Sequence, residues 1–66
     1  MEYQDNLVRY IQLKDSLPNN RLIQVCVTRY EINLIMFNLT KENKYEIILK
    51  ALGKIIETFM NIEFHT

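Results

Sequence analysis

Apolar residues recur along this chain at steps of three and four, the spacing that gathers side chains onto one face of an α-helix. Between Glu2 and Leu17 the stripe runs through Tyr3, Leu7, Tyr10, Ile11 and Leu17, with Val8 and Leu13 at its flanks. Gln4, Asp5, Arg9 and Gln12 turn away from it, and Asp5 with Arg9 makes a possible pair four residues apart. Pro18 closes this segment, because the residue before a proline is pushed out of the helical region. Ser16-Leu17-Pro18-Asn19-Asn20 is the one convincing loop.

The clearest pattern lies in the last third. Tyr45, Ile48, Leu49, Leu52, Ile55, Ile56, Phe59 and Met60 form a wide apolar stripe, with Glu42, Glu46, Lys50, Gly53, Lys54 and Glu57 opposite. Thr40 is the expected N-cap, Leu39 its staple, and Glu46 with Lys50 an exposed pair in the favoured orientation. Gly53 costs about 1 kcal/mol relative to Ala in a helix, which points to a close backbone contact. The pattern predicts a helix over 41–60.

The middle, residues 21–39, is ambiguous. Twelve of its nineteen residues are apolar, too many for a helix with a free solvent face. Leu22, Ile23, Cys26, Val27, Tyr30, Leu34 and Phe37 fit one helical face. Yet Ile23, Val25 and Val27 alternate with Gln24, Cys26 and Thr28, and Thr28 with Glu31 reads as a capping box. A continuous helix over 20–38 is preferred, since no Gly or Pro interrupts it. The alternative is an α+β arrangement with a short strand at about 21–27, pairing with a dimer mate or with residues 61–65.

The expected fold is therefore all-α: one domain over 1–66, a compact three-helix unit with helices at 2–17, 20–38 and 41–60. A chain of this length has a small core and usually needs disulfides, a metal, dense packing or a partner. Cys26 is the only cysteine, and it forms no metal set with His65, so no cofactor or metal is expected. Cys26 between two valines reads as a buried thiol, and His65 as a tail residue. No basic leader or long apolar run marks export or a membrane span, and a lone thiol fits a reducing compartment, so a cytoplasmic location is expected.

No nucleophile, base and acid come together in the sequence, and Thr28, Thr40 and Thr58 read as caps or helix-face residues. An enzyme is not expected. Eight basic and eight acidic residues leave no net charge, which disfavours a nucleic-acid partner, whose phosphates would draw a basic surplus. Arg9-Tyr10 and Arg29-Tyr30 repeat a basic–aromatic pair, but both tyrosines fall on apolar stripes and read as core. Leu49-Lys50-Ala51-Leu52-Gly53-Lys54 resembles a Leu-x-x-Ala-Leu-Gly run of phage-repressor-like helix-turn-helix regulators. The likeness covers those six residues, and the tight turn between two DNA-contacting helices is missing upstream. The abundance of Ile, Asn and Lys fits an AT-rich genome of the kind that phages and plasmids carry.

Apolar residues left off the main stripe of the middle helix, namely Val25, Ile32, Ile35, Met36 and Leu39, exceed what three short helices hide. They imply a protein–protein interaction module acting as a homodimer, a subunit or an inhibitor that docks a helix face on a larger protein. Ile32, Ile35, Met36 and Phe37 are the expected anchors, with Arg29 and Tyr30 at the rim. The partner is another protein, self or heterologous, with no membrane role. The alternative is a small dimeric nucleic-acid-binding regulator that collects Arg9, Arg21 and Arg29 on one face.

Overall fold

The computed structural model describes the backbone of residues 2–65 and the side chains of residues 2–62. Three helices follow one another, α1 (Glu2–Ser16), α2 (Arg21–Thr40) and α3 (Asn43–His65). No strand occurs among the described residues, so α2 is one continuous helix through the Val-Cys-Val stretch and Thr28. The strand alternative fails because alternation over 23–28 is also compatible with a helix that is apolar on two faces. Residues 61–65 likewise continue α3 instead of pairing as a strand.

Local chemistry fixes the breaks. Asn20 takes an extended conformation and its side-chain oxygen accepts from the Ile23 amide at 3.1 Å, capping α2. The end of α1 is satisfied from a distance: the Gln24 side-chain amide donates to the carbonyls of Lys14 (2.8 Å) and Leu17 (2.9 Å). Thr40 does not cap α3. It is the last residue of α2, donating to the Met36 carbonyl at 2.9 Å and accepting from the Glu42 amide at 3.2 Å. Lys41 then closes α2 in the left-handed region, φ 59°, with its amide on the Phe37 carbonyl at 2.7 Å. Leu39, 75% exposed, staples nothing.

α2 and α3 share the largest interface, while α1 lies closer to α2 and reaches α3 through long side chains. The molecule measures 36 × 20 × 18 Å; its length is that of α3, about 35 Å for 23 residues. Ile23, Cys26, Val27, Tyr30 and Leu34 of α2 meet Leu49 and Ile56 of α3 and Leu7, Tyr10 and Leu13 of α1 in one core. Four placements differ from the periodicity. Leu13 is core, not flank, whereas Leu22 of α2 and Ile48 and Ile55 of α3 lie outside. Each stripe was wide enough for two faces, and α1 covers only one of them.

The candidate interaction surface

On α2, Leu22, Val25, Arg29, Ile32, Met36 and Leu39 follow steps of three and four, which makes them a continuous seam along the helix. Leu22, Val25, Ile32, Ile35 and Leu39 are between 41% and 75% exposed, and Met36 is half-buried. On α3 a second seam follows the same spacing through Ile48, Ala51, Ile55 and Thr58, all exposed. Here large and small side chains alternate. A shallow hollow of about 460 Å³ lies at Ala51, Lys54, Ile55 and Thr58, and one of about 360 Å³ at Gln24, Val25, Thr28, Arg29 and Ile32.

Both seams lie on the side of the α2–α3 layer away from α1. α1 reaches α3 at Glu46, Gly53 and Glu57, and it reaches α2 at Gln24, Thr28, Tyr30 and Phe37. At 3.6 residues per turn, the α3 seam is centred roughly half a turn round from its α1 contacts. On α2 those contacts fall to either side of the core, and Thr28 lies at the seam's edge, in the hollow with Val25, Arg29 and Ile32.

The six residues expected at a partner interface therefore divide. Arg29, Ile32 and Ile35 are exposed together on α2 and Met36 is half-open beside them. Phe37 is half-buried and packs edge-on against Tyr3, ring centres 6.2 Å apart, which holds it toward the core. Tyr30 is 1% exposed, so it belongs to the core and not to a rim. Its ring meets that of Tyr10 edge-on at 5.0 Å. The sequence reading missed the α3 seam, because Ile48 and Ile55 blend into the inner stripe and Ala51 and Thr58 hide the repeat.

On the opposite side a polar network ties α1 to α3. Tyr10 Oη and Arg9 Nη2 both donate to Glu57 Oε2, at 2.7 and 2.6 Å, and Arg9 also donates to Asn6 at 3.0 Å. The expected Asp5–Arg9 pair gives way to this one. Glu46 likewise accepts from Tyr3 Oη at 2.8 Å and makes no ion pair with Lys50. The Tyr10 hydroxyl and then Arg9 hold the Glu57 carboxyl below its usual range. Burial, helped by the neighbouring carboxylate, raises the Tyr10 phenol and pushes Tyr3 up to about 12. Burial also raises Tyr30. These shifts hold the phenols protonated and the carboxylate charged, the states that make the hydrogen bonds.

Among the described residues no group of three His, Cys, Asp or Glu side chains could hold a metal, and no buried side-chain polar atom lacks a partner. Cys26 is a buried free thiol, as the flanking valines imply. The His65 side chain lies outside the described residues. No described helix is long and apolar enough to cross a membrane. Compared with family models, curated proteins and solved structures, the chain matches none.

Proposed function

We propose that this chain is a small non-enzymatic interaction module that docks the outer face of its α2–α3 layer on an apolar surface of another protein. The observation that carries the reading is the pair of exposed seams, whose spacing is that of helix-on-helix packing. Ile32, Ile35 and Met36 are its anchors on α2, and Ile48 and Ile55 on α3, with Arg29 the one charge inside the α2 seam. The polar network supports the same reading, because its strongest groups are spent on one another in tying α1 to α3.

A nucleic-acid partner is less well supported. Arg9 is engaged by Glu57 on the far side of the molecule, away from Arg29, and the chain has no net charge. Cys26, a lone buried thiol, suits a reducing compartment, and on that ground we assign the module to the cytoplasm.

The test is retention, by the immobilised chain, of the free chain itself and of proteins from an extract, compared with a variant carrying Ile32→Glu and Ile35→Glu. Both positions are 54% exposed, so the variant keeps its helicity by circular dichroism. A bound protein lost only with the variant supports the reading. Equal retention by both, or a collapse of helicity that returns the two residues to the core, refutes it.

A further inference from the structure

We infer that the occupant of the outer face is a second copy of this chain, packed so that α2 of each copy lies on α3 of the other. This rests on the interaction reading above and names its partner. Three observations carry it.

The first is area. Leu22, Val25, Ile32, Ile35, Leu39, Ile48 and Ile55 are each at least 41% exposed. Together they present roughly 700 Å² of apolar surface, near the ~800 Å² that each partner brings to a stable interface. A chain of 66 residues with no disulfide gains most from such a cover.

The second is shape. The α2 seam is built of large side chains and the α3 seam holds the hollow at Ala51 and Thr58. Large knobs on α2 match the hollow on α3 of a second copy. A twofold axis in the plane of the face repeats the match reciprocally and closes the assembly at two chains. α1 packs behind the layer and reaches the edge of this face only at Thr28, through Lys14 Nζ at 3.1 Å, and at Gln24. In the dimer the two α2–α3 layers form four helices packed face to face, with the α1 helices outside.

The third is charge. The chain's charges balance, so copies approach without net repulsion. Within the α2 seam Arg29 is the only charged residue, and one polar residue in an apolar seam fixes register at some cost in affinity.

The experiment is solution mass by light scattering on the whole chain over a hundredfold concentration range, with helicity measured in parallel. Twice the 8.0 kDa of the chain is expected. Ile32→Glu or Ile55→Glu should weaken the dimer by at least roughly a hundredfold while the chain stays helical, since each carries a charged carboxylate into the apolar contact. Ala51→Phe separates this packing from indiscriminate sticking. Ala51 is exposed in the single chain, so the ring is tolerated there. It fills the hollow, and the expected result is a weaker dimer, whereas non-specific apolar association would tighten. A monomer at every concentration overturns the second copy and leaves the interaction module standing, its partner then heterologous. A dimer indifferent to both glutamates, or tightened by Ala51→Phe, overturns the proposed packing.

Discussion

Replacing Gly53 with alanine should make this protein more stable, by an amount the structure lets one work out. Gly53 lies well inside α3 and has no positive φ, so its backbone asks nothing that alanine cannot supply. In a helix interior glycine is about 0.8–1.0 kcal/mol less favourable than alanine, because it loses more backbone freedom on folding. The opposing term is steric. A Cβ built on Gly53 would meet Tyr10 Oη and Tyr30 Cε2, each at 3.6 Å. Those are ordinary contact distances to two side chains, so the close backbone approach inferred from the sequence is absent and nothing must shift. The added methyl also gains a few favourable contacts with the tyrosines, worth about 0.1–0.2 kcal/mol each.

The net expectation is a gain of about 1 kcal/mol, or a rise in Tm of about 4–8 °C for a domain of this size. Thermal and urea unfolding followed by circular dichroism measures it. Wild type and variant must be compared at equal protein concentration, because association makes Tm concentration-dependent. Gly53 faces α1, away from both seams, so solution mass should not change. A variant less stable than wild type would refute the reasoning. It would mean that the Tyr10–Tyr30 pair cannot spare the volume of one methyl.

Lys41 holds a left-handed conformation, φ 59°, that costs a non-glycine residue roughly 1–2 kcal/mol. Part of that is offset in glycine by its greater freedom when unfolded. Lys41→Gly should thus stabilise by about 0.5–1 kcal/mol in urea unfolding, and a loss of stability would show that the lysine side chain has a role there. The Tyr10 and Tyr30 phenols, both 1% exposed, titrate above the ordinary 10.0. Their stabilising effect is therefore complete below pH 10 and is lost as pH rises toward their folded values, at up to roughly 3 kcal/mol per pH unit for the pair. Helicity and phenolate absorbance should change together above that pH; free titration of all tyrosines with helicity intact would refute their burial. At the acid end the sign reverses. Glu57 is held low, so its contribution is present above about pH 4.3 and fades as pH falls through the folded value. The Arg9–Glu57 pair is over 40% exposed, which limits this to under about 1 kcal/mol, and Glu57→Gln should flatten that limb.

Much of the fold was legible in the spacing of apolar residues. Pro18 and the polar run after it mark the end of α1, and the stripe from Tyr45 to Met60 marks α3. What the spacing could not show was decided across the chain. The cap on the end of α1 comes from Gln24, ten residues beyond Lys14, and local sequence contains no sign of it. Arg9 had an obvious partner four residues back in Asp5, yet Glu57 takes it, because a carboxylate that already holds the Tyr10 hydroxyl offers a better-ordered acceptor. Tyr30 reads as core from its stripe and as rim from its neighbour Arg29, and the Tyr10 ring against it holds it in the core. Of the candidate surface, the α2 portion was visible as surplus apolar residues, and the α3 portion was not.

That asymmetry has a physical cause. α2 carries two apolar seams, and so does α3, and hydropathy alone does not say which of each pair turns inward. The choice follows from what each seam would leave unsatisfied. Burying the outer α2 seam would carry the Arg29 guanidinium into the core, where an unpaired charge is prohibitive. Burying the outer α3 seam would set Ala51 and Thr58 against α2 and leave unfilled volume at every second step. The inner seams have neither fault: Ile23, Val27, Tyr30 and Leu34 meet Leu49 and Ile56 with almost no residual exposure. The same defects that keep the outer seams out of the core fit them for contact with another molecule. Arg29 can extend to the rim of an interface, as it cannot inside a core, and a hollow that would be a void within one chain becomes a socket for a side chain from the next.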